Sequence, residues 1–281
     1  MKRPKDKASS SPGVTDNAWA RLRGFTAARI GLGRAGNSLP TQHMLAFQLA
    51  HAQAQDAVHT PLDFAALIDA LEQRPWNTFG EPLRLHSRAV DRTAYLQRPD
   101  LGRRLDEASA ECLKEYTTKT RDAYDLAIVI ADGLSAVAMA QHTVGFLDAL
   151  IPRLTDANEP WRLAPIALVE QGRVAVGDHV GELLAARCAL VLVGERPGLS
   201  SPDSMGLYLT WQPRLRRKDA ERNCISNIRP AGLPLEEAGR RAAYLLNEAR
   251  RRALSGVLLK DRSDEGALVA PAEQTSFLLG K

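Results

Sequence analysis

The chain has 281 residues, of which 44% are hydrophobic and 25% charged. That is long enough to bury a full core and excludes a disordered, collagenous or disulfide-framed chain. The net charge is +4, but residues 1–7 hold four cations against Asp6, so the body is close to neutral and nucleic-acid binding is not expected.

No apolar run reaches the roughly 20 residues that span a bilayer, and no apolar core follows the basic N-terminus, so neither a membrane span nor a secretory signal is expected. Cys112, Cys188 and Cys224 are too few and too scattered for a disulfide framework or a zinc pattern. The histidines are equally dispersed, and no protein-built metal site is expected. Two basic clusters stand out: Arg214, Arg216, Arg217 and Lys218, and Arg250 to Arg252. The second falls near a helix C-terminus, where cations are favoured.

Residues 1–15 read as a flexible tail. Pro40 and Thr41 then open a helix with Leu45, Leu49 and Ala52 on one face. Pro61 and Asp63 open another with Phe64, Ile68 and Leu71 at helical spacing. The segment Gln73-Arg-Pro-Trp-Asn77 breaks it. Residues 16–80 are thus expected to form a small helical N-terminal domain.

From residue 81 strands alternate with helices. Residues 83–89 read as a strand, and Pro99 and Asp100 start a helix with Leu101, Leu105, Ala108 and Cys112 on one stripe. Residues 126–131 are a buried strand that turns through Asp132-Gly-Leu-Ser135 into a long helix. Residues 163–169 form the next strand, followed by the turn Glu170-Gln-Gly-Arg-Val174 and a short helix from Asp178. The run from Ala189 to Val193 is a buried strand that breaks at once into Gly194-Glu-Arg-Pro-Gly198. Residues 207–211 read as a further strand, and a last helix runs from Leu235 to Ser255, with Gly256 as its stop. The alternation predicts an α/β domain with a parallel sheet over residues 81–281. Its strand-end turns, 132–135, 171–174 and 194–200, then gather on one edge, where ligands of such sheets sit.

Motifs narrow the chemistry. Gly31-Leu-Gly-Arg-Ala-Gly36 matches G-x-G-x-x-G, but no good strand precedes it and the helix starts later, so it is not read as a dinucleotide site. There is no phosphate-binding G-x-x-x-x-G-K-[ST] loop and no G-x-S-x-G elbow. Asp178 and His179 are adjacent, so the D-x-H-x-x-G pattern is absent. Cys224-Ile-Ser-Asn-Ile228 reads as a turn with one small buried thiol. Asp132 is either a helix cap, which is favoured, or a ligand contact. Asp132, Ser135, Arg196 and Ser226 are secondary candidates from their edge position. On the residues alone, a self-sufficient doubly wound nucleotide-binding protein and a ligand-free scaffold subunit both stay open.

Seven segments, in order, resemble the light (small) chain of ethanolamine ammonia-lyase: Gly33-Arg-Ala-Gly36, Tyr95-Leu-Gln-Arg-Pro-Asp-Leu-Gly-Arg-Arg-Leu105, Asp132-Gly-Leu-Ser135, Gly172-Arg-Val174, Gly181-Glu-Leu183, Leu192-Val-Gly-Glu-Arg-Pro-Gly198 and Cys224-Ile-Ser-Asn-Ile228. The resemblance implies a Rossmann-like parallel sheet domain preceded by the helical domain. It implies a hetero-oligomer with a barrel-shaped heavy chain, and adenosylcobalamin (coenzyme B12) bound between the two chains. It implies radical conversion of ethanolamine to acetaldehyde and ammonia, in the cytoplasm or inside a bacterial microcompartment. Val174, Glu195 and Cys224 carry over as cofactor contacts: Glu195 as an acceptor from the cofactor's amide fringe, Val174 packing on the ring or its lower base, Cys224 as a contact and not a nucleophile. No catalytic acid, base or metal ligand is assigned to this chain. Because the D-x-H-x-x-G pattern is absent, the cofactor is expected to keep its own dimethylbenzimidazole on cobalt.

Overall fold

Strand β4 (Leu126–Ala131) is wholly buried, and its alternation organises the molecule. Leu126, Ile128 and Ile130 point into one apolar cluster, while Ala127, Val129 and Ala131 point into a second on the opposite face. The computed structural model describes residues 13–120 and 123–264; residues 1–12, most of the expected tail, lie outside that range. Beside β4 lie β3 (Leu83–His86), β5 (Ala167–Glu170), β6 (Cys188–Gly194), β7 (Met205–Trp211) and β8 (Arg222–Ile228), in the order β3-β5-β4-β6-β7-β8.

Helices cover both faces. The larger cluster takes in α2 (Phe64–Glu72), α5 (Ala136–Thr155) and α7 (Leu235–Arg252). The smaller takes in α4 (Glu107–Thr120) and α6 (Val176–Leu183). Before them come a two-stranded ribbon, β1 (Val14–Thr15) with β2 (Arg34–Ala35), and α1 (Thr41–His59); a short α3 (Arg92–Gln97) follows β3. Phe64, Leu67 and Leu71 of α2 belong to the same apolar cluster as the sheet. Among the described residues, no helix is long and apolar enough to cross a membrane, and no group of His, Cys, Asp or Glu side chains could hold a metal ion.

The sheet is mixed, which corrects the expectation of an all-parallel one. β3, β5, β4 and β6 run parallel, whereas β7 is antiparallel to β6 and β8 to β7. The reason is the connection. A parallel return needs a crossover of about a dozen residues or more, usually a helix, and residues 195–204 contain none.

Several boundaries also move. The strand expected at 163–169 begins only at Ala167, because Pro165 has no N–H for the ladder; Leu163 keeps a single bridge to Leu126. The strand at 83–89 stops at His86. The helix expected from Pro99 is a 3-10 turn, Leu101–Arg103, and α4 starts at Glu107 with Asp106 accepting from the Ser109 N–H at 2.7 Å. Cys112 on it faces solvent. Helix α7 ends at Arg252 on a left-handed Ala253, three residues before Gly256. Leu45 and Leu49 do share a face of α1, but it is the exposed one; the buried positions are Ala50 and Ala57. Residues 224–228, expected as a turn with a buried thiol, lie within β8, and Cys224 is exposed on it.

Candidate functional site

Neighbouring parallel strands β4 and β5 send their chains to helices on opposite faces, α5 and α6. Such a switch opens a crevice at the carboxyl edge of the sheet. The three strand-end turns meet there: the Leu134 N–H donates to the Gly194 carbonyl at 2.8 Å, and the Gly172 N–H donates to Asp132 Oδ1 at 3.0 Å.

Asp132 is buried and fastens two of these turns, accepting also from the Gly133 N–H at 2.9 Å. Burial raises its carboxyl to about 6, against the lowering effect of Arg92, whose Nη1 lies 3.8 Å from Oδ2. It is therefore not the helix cap. That role falls to Ser135, which accepts from the Ala138 N–H at 3.2 Å and donates to the Pro202 carbonyl at 2.7 Å.

A pocket of about 410 Å³ opens on this edge, lined by Tyr95, Leu134, Arg173, Val174, Tyr208 and the Val193 to Arg196 segment. Val174 and Glu195 thus share one wall system. Cys224 sits opposite Tyr208 across the β7–β8 ladder and is hydrogen-bonded to it. Desolvation raises both the Tyr208 hydroxyl and the Cys224 thiol, so at neutral pH both stay protonated, and the thiol is no nucleophile.

The Glu195 carboxylate is tightly held. Oε2 accepts from Ser204 Oγ at 2.5 Å and from the Asn227 N–H at 3.1 Å, and Oε1 accepts from Ser226 Oγ at 2.5 Å. A register shift explains this. Met205 pairs with Ile228 and Leu207 with Ile225, so Ser226 and Asn227 together oppose Gly206, a bulge of the kind that re-aims side chains near functional sites. Asn227 takes the left-handed conformation with φ 60°, which Asn tolerates well. Gly206 completes the arrangement, since a Cβ there would lie 2.7 Å from Glu195 Oε1.

Tyr95 is fully buried with two guanidinium groups over its ring, Arg173 at 4.3 Å and Arg92 at 4.7 Å from the ring centre. Burial first, and the Asp132 carboxylate second, push its hydroxyl up to about 12. Arg173 also donates to the Tyr95 carbonyl at 2.8 Å, and Arg92 to the Gly133 carbonyl at 2.7 Å.

Of the secondary candidates, Arg196 lines the pocket and is exposed, and Ser226 serves Glu195. Ser135 and Asp132 have no side-chain role in the lining. Tyr95, Arg173 and Tyr208 were missed as site residues. Tyr95 and Arg173 lie inside segments that carry the family resemblance, and that was the available signal. The glycines at 31, 33 and 36 sit apart, in the loop that holds β2, with α1 starting only at Thr41.

Fold and site together define an α/β chain with a pocket at the carboxyl edge of a mixed sheet. The sequence matches the family described as Ethanolamine ammonia-lyase light chain (EutC) over residues 16–260. Proteins named ethanolamine ammonia-lyase small subunit from Pseudomonas aeruginosa and from Xanthomonas campestris pv. campestris are each 55% identical over 267 residues. These alignments cover 95% and 94% of this chain and 96% of each relative. One of the same name from Azotobacter vinelandii is 55% identical over 272 residues, covering 95% of this chain and 97% of the relative. The chain belongs to the ethanolamine ammonia-lyase light-chain family and is a lyase subunit.

Proposed function

We propose that this chain holds one side of adenosylcobalamin at an interface with the enzyme's heavy chain, and that the assembled hetero-oligomer converts ethanolamine to acetaldehyde and ammonia in the cytoplasm. One observation carries this: Val174 and Glu195 line a single pocket at the carboxyl edge, and Cys224 is bonded to a third lining residue, Tyr208.

The chemistry of the pocket fits the group. Leu134, Val174 and Val193 supply apolar wall for a ring edge, and Glu195 and Tyr208 supply fixed polar points for an amide fringe. A pocket of about 410 Å³ takes part of a corrin and leaves the remainder to a partner, as a shared site requires. When bound, adenosylcobalamin supplies radical chemistry, while protein supplies binding, orientation and exclusion of side reactions. Three hydrogen bonds already reach the Glu195 carboxylate; of its roughly four acceptor positions about one is left for a ligand amide. Glu195 is thus as much a strut of the pocket as a contact. The thiol of Cys224, kept protonated, offers a soft surface and no covalent step.

The test is a cobalamin titration of the chain with and without the heavy chain. Tight binding and acetaldehyde release are expected only with both. Glu195→Ala is expected to raise the cobalamin Kd by about tenfold, the worth of one hydrogen bond to a charged group, with little change in ethanolamine KM. An unchanged cobalamin Kd would falsify the role of Glu195. Absence of cobalamin binding in an intact two-chain complex would overturn the whole reading.

A further inference from the structure

The basic cluster around residue 216 lies outside the Glu195 pocket and closes a pocket of its own. A cavity of about 360 Å³ is lined by Arg103, Arg104, Ala175, Asp178, Arg216, Arg217, Lys218, Asp219 and Arg222, with Leu215. The cations come from three places in the chain. Arg103 and Arg104 end the 3-10 turn before α4, Arg216 to Lys218 sit in the β7–β8 connection, and Arg222 begins β8.

Their partners divide them. Arg222 is bound to Asp178 and to Asp219, and Arg217 to Glu221. Among the described residues, Arg103, Arg104, Arg216 and Lys218 make no ion pair, and all four are exposed. Six cations against the carboxylates of Asp178 and Asp219 line one small cavity, an excess of positive charge that a multivalent anion relieves. A second observation points the same way. The Arg222 side chain is 3% exposed, yet its Nε–H has no hydrogen-bond partner. A buried donor left unmade costs free energy unless something else supplies the acceptor.

The rim is also braced. Glu182 accepts from the Leu215 N–H at 2.7 Å, and Arg217 donates to the Gln212 carbonyl at 2.9 Å. Guanidinium groups match the oxygens of a phosphoryl group in paired fashion, and the cavity is too small for a folded peptide segment.

We propose that this pocket binds a phosphoryl group, held by Arg103, Arg104, Arg216 and Lys218 over the buried Arg222. Two sources share that chemistry: free phosphate or a phosphate ester, and the phosphodiester in the nucleotide tail of cobalamin. The second source rests on the proposed function, because Ala175 of this cavity directly follows Val174 of the other.

The experiment uses the full chain with the heavy chain and the double variant Arg103→Ala/Arg216→Ala, whose exposed side chains leave the Arg222–Asp178 pair intact. Inorganic phosphate is titrated calorimetrically against chloride at matched ionic strength, and adenosylcobalamin is compared with adenosylcobinamide, which lacks the phosphodiester. Unfolding midpoints of both proteins confirm equal folding. Saturable phosphate binding that the double variant weakens by about tenfold, with cobalamin affinity unchanged, identifies a free phosphate site. A similar loss for cobalamin but not for cobinamide identifies the cofactor's phosphodiester. If neither phosphate nor cobalamin affinity changes, or if chloride competes equally, the proposal fails. Failure of the cofactor reading shows separately, as an unchanged cobalamin affinity in Glu195→Ala beside intact phosphate binding.

Discussion

At the scale of single residues, Asp132 has the most measurable consequence. Its carboxyl rises from 3.8 to about 6 on folding, by burial. Between those values the folded chain holds a proton that the unfolded chain has lost, so this group's contribution to stability falls as pH rises. The slope reaches about 1.4 kcal/mol per pH unit inside the window. Asp132→Asn keeps an acceptor for the Gly133 and Gly172 N–H groups and removes the titration. Denaturant unfolding from pH 4 to 7 is therefore expected to show the wild type losing stability relative to Asp132→Asn as pH rises to about 6. Parallel curves for the two proteins would show that this carboxyl is not perturbed. The sequence offered two roles for Asp132, a cap or a ligand contact, and the structure gives it a third, because the Gly172 N–H from which it accepts was brought near only by the pairing of β5 with β4.

Among the elements, α6 packs tightly on the sheet at Gly177. A Cβ on Gly177 would overlap the Cγ2 methyl of Val191 on β6. Val191 is 2% exposed and β-branched, so it has little room to move. Gly177→Ala is expected to gain up to about 1 kcal/mol in helix propensity and to lose more, a net destabilisation of about 1–2 kcal/mol from overpacking, read as a lower urea midpoint. A raised midpoint would show that α6 can shift away. Elements with one strong periodicity were legible in advance: Leu126–Ala131 as a buried strand, Ala238, Ala242, Leu245 and Ala249 as the inner stripe of α7. The stretch Arg222–Ile228 was not, since its alternation of buried Arg222, Ile225 and Ile228 with polar residues is broken by the bulge that seats Glu195.

Across the whole molecule, large apolar side chains are concentrated on the surface of the N-terminal part. Trp19 and Phe25 are 67% and 73% exposed, and Leu45 and Leu49 are 59% and 60%. Large apolar patches on soluble chains mark interaction sites or aggregation liabilities. If the chain works only in a complex with a heavy chain, the isolated protein is expected to bind the dye ANS and to self-associate with concentration, and both should diminish on co-expression. Equal dye binding with and without the heavy chain would separate this surface from the subunit contact.

Local spacing and residue choice were enough to read the alternating strands and helices, the clustering of three strand-end turns at one edge, and the family to which the chain belongs, because these depend on near-neighbour patterns. They also pointed to Val174 and Glu195 as members of one edge. Strand direction and convergence were decided only by the fold. Whether β7 returns antiparallel depends on a connection too short for a crossover, and the enclosure of Glu195 depends on a bulge two strands away. The contact of Arg173 with the Tyr95 ring, and the meeting of Arg103 with Arg216, join residues far apart in sequence. Such contacts follow from packing that no local periodicity encodes.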